Sequence, residues 1–307
     1  SNANVGTDKT VTIGSLSLGN GSNGGLSSNY TLSGGTHTLS VTKRPVTISG
    51  SRFYDGTTTV SSSDINAFNN TSGAQTLAIT GSGSVTTALS GAGKNLTLGT
   101  LTLADGTGSA SNYSLASGTF DINSRQLNIS GSRIYNGTTV ISGSDLVVTT
   151  GVGSEVLTVS GTGSIASANV ANNKSVTAGS LALSGSSGNA SNYSIGTITI
   201  NVTERPVNVS MEKVYDASLN APASALKSGG ITNTVLGHTL SLTGTGVMST
   251  KDVGVGKIVS VGTLGLGGAQ SANYKLAGGT IDIDVTPRTT NASGSRHYDG
   301  TTVAGSS

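Results

Sequence analysis

Apolar and polar residues alternate in short stretches along the whole chain and seldom recur at helical spacing. Between Gln126 and Ser130 the apolar positions are Leu127 and Ile129, and near the end of the same segment Ile198, Ile200 and Val202 share one parity. Alternation with a period of two puts one face of a strand against a core and the other in water. Gly, Ser and Asn clusters separate these stretches, which reads as many short strands joined by turns. One stretch of chain shows the layout. Gln126–Ser130 is a strand, and Ile134-Tyr135 leads into Asn136-Gly137. That dipeptide predicts a type I′ hairpin turn, because both residues accept positive φ. Strands follow at Leu146–Thr149 and Val156–Ser160, with a turn or bulge at Gly161-Thr162-Gly163. A long strand from Val176 to Leu183 is interrupted by Gly179, and Ile195–Val202 closes the set. The pattern predicts an all-β chain.

The same layout recurs. Tyr54, Tyr135, Tyr215 and Tyr298 head the sequences Tyr54-Asp55-Gly56, Tyr135-Asn136-Gly137, Tyr215-Asp216-Ala217 and Tyr298-Asp299-Gly300, at spacings of 81, 80 and 83 residues. A second series, Asn29-Tyr30, Asn112-Tyr113, Asn192-Tyr193 and Asn273-Tyr274, is spaced by 83, 80 and 81. Together these are all 8 tyrosines of the protein, so none remains for a unique site. Arg44, Arg125, Arg205 and Arg288 each precede the first tyrosine by ten residues, and Arg52, Arg133, Lys213 and Arg296 precede it by two. Lys9, Lys94, Lys174 and Lys257 open another recurring strand. Charge placed by a repeat is expected to serve the repeat's own structure, as an ion pair or as a stem over apolar surface.

A period near 80 exceeds one coil of a solenoid, whose units run about 20–50 residues. It suits a small β domain of about seven strands. The expected fold is therefore a series of tandem antiparallel β-sandwich-like modules forming an elongated rod, with a parallel β-solenoid as the alternative. Residues 4–44 are the later part of a repeat, 45–125, 126–205 and 206–287 are full repeats, and 288–307 begin another. Residues 1–3, Ser-Asn-Ala, read as a remnant of tag removal. The closing strand of each repeat runs straight into the next with no Gly/Ser linker, which predicts limited bending. The stretches Asp64–Asn70, Asp145–Thr149 and Ala221–Lys227 vary most and are expected to be loops or one short helical turn.

Composition narrows the function. Only 10% of residues are charged and the net charge is +2, too little field to hold nucleic acid or an anionic membrane. The absence of Cys removes disulfides, thiolate metal sites and Cys nucleophiles together. No apolar run approaches the roughly 18 residues of a membrane span. With 3 Phe and no Trp, the tyrosine rings are needed inside the modules. Each is expected to be buried beside a turn with its hydroxyl bonded to nearby backbone, pinning the corner of its own module.

The ordered set of Tyr-Asp-Gly-Thr-Thr at 54–58 and 298–302, Tyr-Asn-Gly-Thr-Thr at 135–139, the Lys-led strand and the later Asn-Tyr resembles the YDG-domain repeat of large bacterial adhesins. Those adhesins include filamentous-haemagglutinin-like proteins exported by two-partner secretion. The resemblance covers essentially all of 4–307, although the third full repeat departs from it with Ala217 and Ser218-Leu219. It implies a secreted or cell-surface location and a structural stalk that spaces a binding region from the cell. The partners it implies are the remainder of a larger adhesin and a surface receptor of unknown identity, with no nucleic acid, no membrane insertion and no cofactor. The chain is expected to be a monomer, with end-to-end contacts open to its unpaired edges.

Other chemistry finds little support. Asp55, Asp216 and Asp299 stand one per repeat with Asn136 replacing the acid once, whereas Ca²⁺ takes six to eight oxygens. The Asn residues before the second tyrosine series are expected to cap turns through Asx hydrogen bonds. Pairs such as Lys94 and Asn112 suggest an internal isopeptide bond, but Glu occurs only at 155, 204 and 212. Gly91-Ala92-Gly93-Lys94 lacks the first Gly and the Ser/Thr of a phosphate loop. His37, His238 and His297 occupy unrelated places, and no nucleophile–base set emerges from spacing. No catalytic or metal-binding residue is therefore expected. The competing expectation is a glycan- or protein-binding module that uses the loops Asp64–Ala74, Ser142–Glu155 and Ala221–Gly237.

Overall fold

In the computed structural model, residues 2–298 and 300–302 are described. The chain is all-β, built from repeated modules of about 80 residues with curled sheets, and its helical segments are three-residue turns. Strands β1 (Gly6–Thr10) and β2 (Thr38–Val41) form an antiparallel pair. The first full repeat follows with β3 (Arg44–Phe53), β4 (Thr59–Ser61), β5 (Ile65–Asn69), β6 (Leu77–Thr80), β7 (Ser82–Val85), β8 (Gly91–Thr97), β9 (Thr102–Asp105) and β10 (Tyr113–Asn123). Six of these make a sheet in the order β4-β7-β8-β10-β3-β5, while β6 and β9 form a separate two-stranded ribbon. Alternation along β3 buries Val46 and Ile48, and along β10 it buries Phe120 and Ile122, as one-sided strands require.

Most pairings are antiparallel, as expected, but β3 and β10 run parallel in register from Arg44↔Tyr113 to Phe53↔Asn123. Parallel neighbours need a long crossover. Here everything from β4 to β9 is that crossover, so the first and last strands of the repeat point the same way. Only Ser124 then separates β10 from the next first strand, Arg125–Ile134.

The variable stretches resolve into a helical turn and a strand. Ser62–Asp64 is one turn of 3-10 helix closed by a capping box between Ser61 and Asp64, and Gly143–Asp145 repeats it with Ser142 and Asp145. The interruption expected at Gly179 between Val176 and Leu183 is present: the stretch divides into two strands, Ala171–Thr177 and Ala182–Gly185, with Gly179 at φ +54° between them.

Contacts group the chain into two compact units whose borders cut through the second repeat. The first comprises Ser1–Asn128, Val148–Val159 and Ala182–Gly196. It holds the sheet of the first repeat and the ribbon of the second, Leu157–Ser160 with Ala182–Gly185. Its core is continuous across the two repeats: Ile48, Val60, Phe120 and Ile122 cluster with Tyr54, Leu127, Val152, Leu157 and Tyr193.

The second unit comprises Ile129–Val147, Ser160–Leu181 and Thr197–Ser307. The third repeat's sheet within it runs Asn220–Pro222, Thr245–Met248, Gly254–Ser260, Ile281–Thr286, Asn208–Val214, Leu226–Thr232, the strand order of the first. Val207, Val209, Met211 and Ile283 are fully buried there.

Candidate functional site: the tyrosine joint

The Tyr-Asp-Gly turn is built from its own short side chains. Asp55 Oδ1 accepts from the Thr57 amide and hydroxyl, both at 2.9 Å; Asn136 does the same with Thr138 at 3.1 Å, and Asp216 with Ser218 at 3.0 and 2.9 Å. The cation two residues before the tyrosine fastens the loop from below. Arg52 donates to the carbonyls of Thr57 and Thr59, Arg133 to those of Thr138 and Val140, and Lys213 to those of Ser218 and Asn220. Lys213 also meets Asp216 at 2.9 Å and holds that carboxyl down to about 2.

The type I′ hairpin expected at Asn136-Gly137 does not form. Gly137 has φ +77° but Asn136 keeps negative φ, because its side chain is committed to the Asx bond. The flanking strands are not neighbours either, since Val140–Ser142 pairs with Thr162–Ile165. The turn is a corner that delivers the tyrosine away from its own sheet.

That delivery defines the site. Tyr54 is 4% exposed, and its hydroxyl donates to Glu155 Oε1 in the following repeat. Tyr193 donates to the other oxygen, Oε2, at 2.8 Å, and the two rings meet edge to face at 5.3 Å. Burial, followed by the hydrogen bond to Glu155, pushes both phenols up to about 12. Gly56 (φ +80°) lies against Val152: a Cβ there would come within 2.9 Å of Val152 Cγ1.

In the second unit Tyr135, 2% exposed, stacks on His238 at 5.9 Å and meets Tyr274 edge-on at 5.6 Å. The Tyr274 hydroxyl shares a 2.7 Å hydrogen bond with His238 Nδ1 and accepts from the Val235 amide at 3.0 Å. A Cβ on Gly137 would fall 2.7 Å from Val235 Cγ1. Arg205 spans this joint, donating to the Tyr135 carbonyl at 3.4 Å and to Asn233. Each joint thus sets a Tyr-x-Gly turn of one repeat against a valine, a polar residue three positions later, and the Asn-Tyr pair of the next.

The asparagines act across the same joint and do not cap local turns. Asn112 Oδ1 accepts from the Val5 amide, Asn192 from Ser90 and Asn273 from Val170, all at 2.8 Å. Each Asn ends a 3-10 turn whose backbone satisfies itself, which leaves the side chain for the preceding repeat. Asn192 and Asn273 are buried as a result.

The signature residues nearest the chain ends stand differently. Asn29 is exposed and Tyr30 is 68% exposed, Tyr215 is half-buried, and Tyr298 is 98% exposed beside Gly300 (φ +74°). Asp299 lies outside the described residues.

Tyr113 keeps its own-repeat contacts, bonding the Ser72 amide and Gln75. Lys94 bonds Thr87 and Asn112 bonds Val5, so the pair considered for an isopeptide is not brought together. Among the described residues no three His, Asp or Glu gather in a group that could hold a metal.

Gln75, Glu155, His238, Val152 and Val235 are the joint residues that sequence reasoning missed. The available signal was a single column inside the variable stretches, filled by Gln, Glu and His in successive repeats.

The fold and the joints define a tandem all-β repeat protein in which recurring tyrosines and asparagines make contacts between adjacent repeats. The chain matches the YDG domain at 36–120, 123–200 and 201–281, and it belongs to that family. No match was found among curated proteins or among solved structures.

Proposed function

We propose that the chain is a run of non-catalytic spacer repeats in a secreted or surface-attached bacterial adhesin, holding a binding region away from the cell. One observation supports this reading above others: the most regularly recurring side chains are spent on joining each repeat to the next. Tyr54 and Tyr135 leave their own sheets for the following repeat, and Asn192 and Asn273 reach back. A single residue separates the last strand of one repeat from the first strand of the next, and no Gly/Ser linker intervenes, as suits a spacer. Two of the loops of the competing adhesive reading contain Glu155 and Val235, residues already engaged in joints.

The test places the chain between a cell-surface anchor and an antibody epitope on a bacterium. Epitope accessibility to a bulky antibody rises with the chain present, and the purified chain stays silent on a glycan array. Saturable glycan binding that survives disruption of the joints would overturn the spacer reading in favour of the loops.

A further inference from the structure

The second repeat departs from its neighbours at one position of the turn, and the departure leaves a buried cation short of a partner. Arg52 meets Asp55 at 3.2 Å and Lys213 meets Asp216 at 2.9 Å. In the equivalent place beside Arg133 stands Asn136. Arg133 is 9% exposed and donates to the carbonyls of Thr138 and Val140, but among the described residues no carboxylate pairs with it. Burial lowers its guanidinium from the ordinary value, with Asp145 opposing. A buried charge without a counter-charge is costly.

Asn136 is followed by Gly137, and both are exposed. The carboxamide of an asparagine is open to attack by the nitrogen of the next peptide, and glycine there puts no side chain in the way. The Asx turn favours that attack. Asn136 Oδ1 accepts from the Thr138 amide and hydroxyl, both at 3.1 Å, which draws charge from Cγ and folds the side chain over the peptide that follows. The same two bonds are 2.9 Å to Asp55 and 3.0 and 2.9 Å to Asp216, so the turn closes more tightly on a carboxylate.

We propose that Asn136 is a self-modifying site that converts, without an enzyme, to an aspartate facing Arg133. The Gly137 nitrogen bonds to Asn136 Cγ, the Cγ–Nδ2 bond breaks, and ammonia leaves with the Gly137 amide proton. Water then opens the five-membered imide. Adding at Cγ, it breaks the new Cγ–N bond, keeps the main-chain peptide and leaves a carboxylate on the side chain. The two Thr138 donors sit at the Cγ oxygen, where charge develops in that step, and so direct the opening. Opening at the main-chain carbonyl gives isoaspartate, which lengthens the backbone by one carbon and breaks the Asx turn. The product turn reads Tyr-Asp-Gly, with its carboxylate set beside Arg133 as Asp55 is beside Arg52. The fastening is made after folding, at the turn that carries Tyr135 to His238 and Tyr274.

The test incubates the purified chain in mildly alkaline buffer and follows it by peptide mass spectrometry, with electron-transfer fragmentation to tell aspartate from isoaspartate. Asn23-Gly24, exposed and in no tyrosine turn, serves as the clock. Position 136 gains the mass that exchange of NH2 for OH adds, chiefly as aspartate, by the time Asn23 has converted. The Asn136→Asp chain presents the end state directly, and its thermal midpoint lies about 2–4 °C above that of the starting chain. That difference narrows as pH falls, because a carboxylate stabilised in the fold contributes above its ordinary value near 4 and is lost below it. An intact amide at 136 after Asn23 has converted, isoaspartate as the main product, or a midpoint for Asn136→Asp at or below that of the starting chain would each overturn the proposal.

Discussion

Replacing Tyr135 by alanine separates a joint residue from a residue that closes its own module. The ring is 2% exposed, stacks on His238 at 5.9 Å and meets Tyr274 edge-on at 5.6 Å. Truncating a buried aromatic residue costs about 3–5 kcal/mol, of which each favourable ring pair supplies about 0.5–1.5. If the ring belongs to the joint, that cost falls on local opening between the second and third repeats. Native-state hydrogen exchange reads it directly, since the Val170 amide is held by Asn273 Oδ1 at 2.8 Å and the Val235 amide by the Tyr274 hydroxyl at 3.0 Å. At about 1.4 kcal/mol per tenfold, both amides should exchange roughly a hundred to several thousand times faster. The Ser90 amide, held by Asn192 Oδ1 at the other joint, should keep its rate. Equal acceleration of Ser90, Val170 and Val235 would mean one indivisible core, and unchanged Val170 would mean the ring contributes nothing to the joint. Either result refutes the reasoning.

Further outcomes follow from the same geometry. Tyr54→Phe removes one hydrogen bond to the Glu155 carboxylate while keeping the ring pair, and should lower the urea-unfolding free energy by about 1.5–3 kcal/mol, the usual range for bonds to charged groups; no change would remove Glu155 from the joint. Tyr54 and Tyr193 have phenols pushed up to about 12 in the fold, so the neutral form is favoured by folding. Their contribution is fully present below the ordinary tyrosine value near 10 and is lost as pH rises through about 12. Tyrosinate absorbance should show late-titrating phenols that shift toward 10 in Glu155→Ala, and their absence in the wild type would contradict the site. Gly137→Ala combines positive φ with a Cβ only 2.7 Å from Val235 and should cost about 2 kcal/mol or more. Ala217→Gly relieves φ +62° and should be neutral or stabilising by up to about 1 kcal/mol in thermal melts. A melt in which the two substitutions act alike would undo the assignment of the turn glycine to the joint.

The all-β class and the strand positions were legible because period-two burial is written locally: Leu127 and Ile129 are buried as their alternation required. The recurring tyrosines, asparagines and cations were legible as a set for the same reason. What each one touches was not. In a tandem array every position in one repeat is one period from its equivalent in the next, so sequence alone cannot separate a bond to Glu155 within a repeat from one across it. Tyr193 and Tyr54 make one of each to the same carboxylate. The direction is settled by the corner at Tyr54-Asp55-Gly56, where an Asx bond and one left-handed glycine turn the ring off its own sheet. At the two joints that corner places the ring in the following repeat, so the turn serves a pair of repeats and not one sheet. The polar residue facing the ring then differs between the two joints, Glu155 accepting from Tyr54 in one and His238 stacking on Tyr135 in the other. A joint with a fixed plug and a variable socket lets repeats be added in series without redesigning their sheets, and it makes the residue at the socket the place where one joint differs from the next.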